Sequence, residues 1–480
     1  MKKLIYLLIS LFVLNSCTNG FEELNTNPNE PEIIEAADQF LPSIIFDLSQ
    51  ITSSQAYHFT DIISQYAASY EFNNLDLYEW TGDDRFWSPM YSILENIKDF
   101  KNHADATNNI NHQAIALVLQ SYIYSIITDA YGDVPMTEAN KTAEGIVRPK
   151  YDKQETIYKT LLENLNKANQ LLSSPESIDA SYDILYRGDM LKWKKFANSL
   201  RLRLLLHSSS VQDVSEELSE IINNPTVYPV FESNADNAIY NYSGSFPNIS
   251  SVTKPGGGRD YDYFLRVPTQ TFIDAIKEND PRLELWVSPR DCSGENAPAD
   301  CSSDRLQGVL PGLNVGDIGR PNEYSSRSIA FFESPVKIQG IFLTYSEINF
   351  IKAEVVQAGF VSIGSAKEYY EKAVSASFEQ WGLITPSNFL TETAPYDASS
   401  EVLYVQKWIA LYHTGIESWS EIKRTGKPSF IKAGPASTND NKMPVRLLYP
   451  SLEQSVNSEN YNKATADMGG DNLNSSSWWW

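Results

Sequence analysis

Between residues 112 and 130 the chain reads HQAIALVLQSYIYSIITDA, apolar on nearly every side of a 3.6-residue period. A surface helix keeps one polar face, so this stretch predicts a helix buried within a bundle. From 189 to 207, DMLKWKKFANSLRLRLLLH, the pattern turns amphipathic: Trp193, Phe196, Ala197, Leu200 and Leu204 share one face, and Lys192, Lys195 and Arg203 take the other. Asp189 stands where a capping carboxylate accepts first-turn N–H groups. Residues 154–172 and 213–223 read as further amphipathic helices. Within 345–381 two helical patterns flank a Gly359…Gly364 turn. There Ala366, Tyr370 and Ala373 have the small–aromatic–small spacing of a tetratricopeptide hairpin's second helix. Another pair occupies 401–424, stopped by Gly426 and Pro428. No strict repeat of about 34 residues runs through the chain, so the hairpins are irregular. The predicted class is mostly α: tetratricopeptide-like helical hairpins form a core scaffold, mainly in 36–224 and 345–425. Residues from about 225 to 344 are loop-rich with short apolar alternations, an irregular half with a few short strands, and the natural place for binding loops.

The N-terminus is organised differently. MKKLIYLLISLFVLNS has two lysines and then an apolar run of about ten residues, short of the roughly 20 needed to span a bilayer and so a secretory signal over 1–16. It ends in Leu14-Asn15-Ser16-Cys17, similar to a bacterial lipobox, in which the Cys17 thiol is lipidated and becomes the first residue. Residues 17–35 are polar, acidic and rich in Asn and Pro, and cannot bury enough apolar surface to fold alone; they read as a lipidated tether. Glu22-Glu23 resembles a surface-export signal. Residues 36–480 then form one domain held to a membrane by lipid.

Charge and cysteines narrow the partners. The net charge is −23, or −25 once Lys2 and Lys3 leave with the signal, which disfavours nucleic acid and anionic lipid. Beyond Cys17 only Cys292 and Cys301 remain, and in an exported protein they are candidates for a disulfide, worth about 3 kcal/mol in the chain-entropy model. The five histidines (58, 103, 112, 207 and 413) are scattered without ligand spacing, so no metal and no cofactor is expected.

The segment TDAYGDVPMTE places Asp129, Asp133 and Glu138 close together, which raises a metal cage or an acid–base pair. The helix pattern resolves it otherwise: Gly132 sits where a left-handed C-terminal cap belongs, Pro135 blocks continuation, and the two aspartates straddle a helix end. Asp129 is then expected to bond the turn's N–H groups and Asp133 to cap the next element. Arg187-Gly188-Asp189 is an adhesion tripeptide only in spelling, since Asp189 starts a helix. KPGGGRD at 254–260 lacks a phosphate loop's Lys-Ser/Thr and context. No Gly-x-Ser-x-Gly elbow is present.

Aromatics stand out: 58 of 480 residues are Phe, Trp or Tyr, enough for both a core and a binding surface. Flat rings cover the C–H faces of sugars while nearby amides and charges bond the hydroxyls. The stretch YEFNNLDLYEWTGDDRFW at 70–87 offers Phe72, Tyr78 and Trp80 with Asn73, Asn74 and Asp83. Tyr240, Tyr242, Phe246, Tyr261 and Tyr263 with Arg259 form a second cluster. Trp80 is expected to act as an open platform, whose truncation weakens binding without lowering the melting temperature.

Several stretches together resemble the SusD/RagB-like outer-membrane lipoproteins of Bacteroidetes, in particular the subgroup with an NTNP start. They are LNSC, LNTNPNEP, FWSPMYSILENI at 86–97, TDAYGDVPMTEA, YRGDMLKWKKFANSLRLRL at 186–204, NDPRL at 279–283 and RLLYPSLEQSVNSENY at 446–461. The resemblance spans essentially the whole chain. It implies a helical core with four tetratricopeptide-like hairpins, a glycan or sometimes peptide ligand, and a role as lid on a TonB-dependent outer-membrane barrel. In starch-binding relatives a tryptophan and an asparagine from the 70–87 region contact ligand. The expected function is thus a non-catalytic, surface-facing nutrient-binding lipoprotein for an oligosaccharide or peptide. Two alternatives remain. A lipid-anchored glycoside hydrolase would need two carboxylates about 5–9 Å apart, from Asp83 with Asp84 or Asp260 with Asp262. An adaptor would use the hairpins to hold proteins.

Overall fold

The computed structural model describes residues 37–480 apart from 83, 175–176, 259–264, 277, 293–297, 299 and 301–304. The signal, Cys17, the tether, Asp83, Arg259, Asp260, Tyr261, Asp262, Tyr263 and Cys301 lie outside the described residues. The longer helices are α1 (Leu41–Gln55), α2 (Trp87–Ala106), α3 (Ile110–Tyr131), α4 (Gln154–Leu171), α5 (Met190–Ser208) and α6 (Ser215–Asn223) before the irregular region. After it come α7 (Tyr345–Gln357), α8 (Ala366–Gln380), α9 (Val402–Ala410), α10 (Ile416–Thr425) and α11 (Ser458–Asp467).

Local signals set these boundaries. Asn109 caps α3 by accepting the His112 N–H, Asp189 caps α5 through the Lys192 N–H, and Thr344 caps α7 through the Glu347 N–H. Each such cap contributes about 1 kcal/mol. Gly426, in the left-handed conformation, stops α10. Sequential helices pack as antiparallel neighbours: α2 on α3, α3 on α4, α4 on α5, and α7 on α8. Helix α3 is long and apolar enough to cross a membrane, but 94% of its most apolar window is buried inside the protein. It is the centre of the bundle, and burying each of its Ile and Leu side chains contributes about 1.5–3 kcal/mol. In the α7–α8 hairpin Tyr370 is fully buried beside Ala373, and its hydroxyl donates to the Ala394 carbonyl at 2.8 Å.

Helix α5 departs from its amphipathic reading. Lys195 and Arg203, assigned to an outer face, are buried. Arg203 donates from Nε and Nη2 to Glu347 at 2.6 and 2.7 Å, and Lys195 bonds Glu232 and Asp236. Helices α4, α7 and the segment 229–236 supply partners that a single-helix pattern does not show, so α5 is buried on both sides.

The irregular region contributes short strands. Three antiparallel pairs form among the described residues: β1 (Ala67–Ser69) with β3 (Arg266–Pro268), β2 (Ala238–Asn241) with β6 (Gln339–Leu343), and β4 (Val287–Ser288) with β5 (Ser326–Arg327). The first pair ties the loop entering at residue 70 to the irregular half. The second lies on α1. Cys292 is disulfide-bonded.

Candidate functional site

The loop between β1 and α2, described over residues 70–82 and 84–86, is held in a fixed shape by its own backbone and by late parts of the chain. Phe72 and Tyr78 sit at positive φ (53° and 61°). The Asn73 side-chain amide donates to the Leu313 carbonyl, and Thr438 donates to the Leu77 carbonyl from both its N–H and its hydroxyl. Further on, Ser451 N–H meets the Gly82 carbonyl at 3.0 Å. A Cβ at Gly82 would lie 2.2 Å from the Tyr449 carbonyl oxygen, so the backbones touch only because residue 82 has no side chain.

The loop walls a cleft of about 420 Å³. Phe72, 72% exposed, stands at its lip. Trp80, Asn74, Glu79, Arg85 and Arg266 line it, with Phe59, Phe86 and Tyr131 as the apolar floor and Leu447-Leu448 as the far wall. Asn74 Nδ2 donates to Glu79 Oε2 at 2.7 Å, which fixes which amide edge faces outward. Trp80 Nε1 donates to the Leu75 carbonyl at 3.0 Å, and its ring meets Phe59 at 5.1 Å and Trp419 at 6.0 Å. Within the loop, Asp76 is buried, its carboxylate accepting the Ser69 N–H at 3.0 Å. Burial pushes that carboxyl up to about 7, with the Ser69 bond working against the shift. The cleft therefore combines an open aromatic, a half-buried indole, an oriented amide and charges of both signs. Such a set can cover a ring face while donating to and accepting from hydroxyls.

Of the residues singled out from sequence, the structure gathers Phe72, Asn74 and Trp80 in one cleft. Asn73 (6% exposed) and Tyr78 (5% exposed) are turned inward instead, Asn73 tying the loop to residue 313 and Tyr78 donating to Met443 Sδ. The backbone is left-handed at both Phe72 and Tyr78, so grouping along the chain does not give the direction in which either ring points. Trp80 is corrected as well: it packs partly into the core, so it is no free platform. Tyr240 and Tyr242 are buried with their rings edge-on against Phe46, while Phe246 is 91% exposed. Asp84 accepts the Ser88 N–H and hydroxyl at the start of α2, a capping role. Glu79 and Arg85 lie within the same stretch but carry no distinguishing mark in sequence. Arg266 and Leu448 arrive by tertiary contact.

The carboxylates of TDAYGDVPMTE are all in structural use. Asp133 Oδ1 accepts the Gln154 N–H at the start of α4, and Glu138 accepts the Lys150 N–H. Asp129 does not bond the turn; it accepts from Tyr158 Oη at 2.5 Å and from Trp479 Nε1 at 3.2 Å. Gly132 has φ 89° and ψ −123°, outside the expected left-handed cap, and the C-terminal tail crosses it so closely that a Cβ would meet Ser477 Oγ at 2.9 Å. Nor does chain spacing show what surrounds His207. It lies 3.2 Å from Asp129 and 3.1 Å from Glu417, with Glu421 close by. Burial alone would lower its pKa, but Glu417 and Asp129 outweigh that and raise it to about 9. Arg203, Lys407 and Arg424 neutralise the neighbouring carboxylates, so this group is an internal ion network.

The chain belongs to the SusD-like family described as starch-binding and associating with the outer membrane, whose model matches residues 28–450. Among solved structures it is similar to a SusD homologue of Bacteroides fragilis (TM-score 0.79, 23% identity, 92% of this chain and 98% of that one). A chitin-binding protein is similar at TM-score 0.76 and 26% identity, over 92% and 98% of the two chains. A chitin-binding SusD homologue from Flavobacterium johnsoniae has TM-score 0.76 and 20% identity over the same shares. No curated protein matches it significantly in sequence.

Proposed function

We propose that the protein is a lipid-anchored, outward-facing nutrient-binding protein that takes an oligosaccharide in the Phe72–Trp80 cleft and delivers it to a TonB-dependent outer-membrane barrel. The observation that carries this reading is the cleft itself: Phe72 open at the lip, Trp80 behind it, and Asn74, Glu79, Arg85 and Arg266 placed to bond hydroxyls. The family's description as starch-binding and two chitin-binding relatives support a glycan over a peptide. Cys17 is the anchor in this account, and residues 17–35 give the domain reach from the membrane. Cys301 is the partner of Cys292 in it. The chemistry is left to other proteins; Asp84, half of one hydrolase pair, is committed to capping α2.

The test is affinity isolation of the lipidated protein from gently solubilised outer membranes. A stoichiometric TonB-dependent barrel in the eluate is the expected result. Recovery of the protein alone would remove delivery from the account and leave only binding.

A further inference from the structure

The terminal SSSWWW is absorbed by neither the first cleft nor the helical pattern. Trp479 is its anchor. The indole Nε1 donates to Asp129 Oδ1, the backbone N–H reaches Gln154 Oε1 at 3.4 Å, and the carbonyl accepts from Ser210 Oγ at 3.2 Å. Lys423 Nζ lies 5.2 Å from the Trp479 ring and 4.1 Å from that of Trp480. Trp478, fixed by this docking, is half-buried against Tyr158 and lines a second cleft of about 410 Å³ between α4, α5 and α6. The two clefts share no lining residue.

Beside this second cleft Arg201 is 6% exposed, its Nε shut off from solvent and its guanidinium 5.7 Å from the Tyr228 ring, which leaves its Nη groups as the ones that can face the cleft. Its Nη1 reaches Asn166 Oδ1 only at 3.5 Å and its Nη2 reaches Glu217 Oε2 at 3.3 Å. Charge-assisted bonds of this kind ordinarily close to about 2.7–2.9 Å, so the two Nη groups are loosely held and can take a further acceptor. Glu155, Glu163 and Glu217 line the same space and oppose an anion, while Arg201 and Lys159 oppose a cation. A neutral polyhydroxylated ring meets both conditions. Its hydroxyls accept from Arg201 and donate to the carboxylates, and its C–H face covers the Trp478 indole.

We propose that the groove between Trp478 and Arg201 is a second saccharide-binding site, for neutral hexopyranose units, separate from the Phe72–Trp80 cleft. It goes beyond the first reading, because a protein with two such sites grips a polymer at two points and gains avidity when one chain spans both.

The experiment is retention of the intact purified protein on granular starch and on insoluble chitin. Trp478→Ala and Arg201→Gln are each expected to weaken retention on at least one polymer about 3- to 10-fold. Trp478→Phe should restore most of it, and combining Trp478→Ala with Phe72→Ala should weaken it further. Wild-type retention by both Trp478→Ala and Arg201→Gln on both polymers, or no retention of the wild type on either, overturns the proposal. Loss with Phe72→Ala alone removes the second site and leaves the first; loss with Trp478→Ala alone does the reverse.

Discussion

Two regions of this protein use the same side-chain chemistry to opposite ends. In the bundle, Arg203 is closed onto Glu347 at 2.6 Å, His207 sits between Asp129 and Glu417, and Arg424 bonds both Glu354 and Glu421. No side chain among them is more than 8% exposed. In the Phe72–Trp80 cleft, Asn74 and Glu79 bond each other at an open edge, Phe72 projects outward, and Trp80 offers what the core leaves uncovered. Charges that face only one another hold helices together, whereas charges and rings tied down from behind leave a face for a ligand. Sequence position does not separate the two uses; the direction of closure does.

The largest effect expected from breaking this contrast lies in the bundle. Arg203→Ala leaves Glu347 and Glu417 buried beside a missing cation and should cost about 3–5 kcal/mol, read as a lower urea midpoint with unchanged m. Trp80→Ala comes next, because the residue belongs to both regions. It should cost about 2–3 kcal/mol, less than a full core tryptophan, and weaken ligand binding as well. An unchanged melting temperature would return Trp80 to the surface role expected from sequence.

Asp76 tests what holds the loop from within, through its bond to the Ser69 N–H. Its folded pKa of about 7 lies above the ordinary carboxylate value, so the folded state binds more protons than the unfolded one between those limits. Its contribution is therefore fully present below about pH 4 and lost as pH rises through 7. One of its buried oxygens also has no hydrogen-bond donor. Asp76→Asn should stabilise the protein at pH 8 by about 1–2 kcal/mol and leave it little changed near pH 4, seen as convergence of the two melting curves on acidification. The smallest effect on stability belongs to Phe72→Ala, within about 0.5 kcal/mol, since the ring projects into solvent.

Much of the fold is legible in sequence because its signals are local. The all-round apolar run of α3, the Asp189 cap and the Gly426 stop each depend on residues within a few positions of one another. The site is legible in part. Phe72, Asn74 and Trp80 come from one aromatic–amide stretch, and the cleft holds all three. The stretch does not reveal that Phe72 and Tyr78, both at positive φ, have their rings in opposite environments. Long-range partners escape for a related reason. Arg203 and Lys195 look solvent-facing on a helical wheel because Glu347 and Asp236 lie far along the chain. Asp129 reads as a turn carboxylate in sequence, whereas its donors are Tyr158 and Trp479, the latter 350 positions later.

Whether the Phe72–Trp80 cleft takes the saccharide is tested most directly by calorimetric titration of the wild type and Phe72→Ala with maltoheptaose and with chitohexaose. The expected result is saturable heat with at least one of the two sugars, and affinity about 3- to 10-fold weaker in Phe72→Ala at unchanged melting temperature. Equal affinity in the two proteins, or no heat from either sugar, would contradict it.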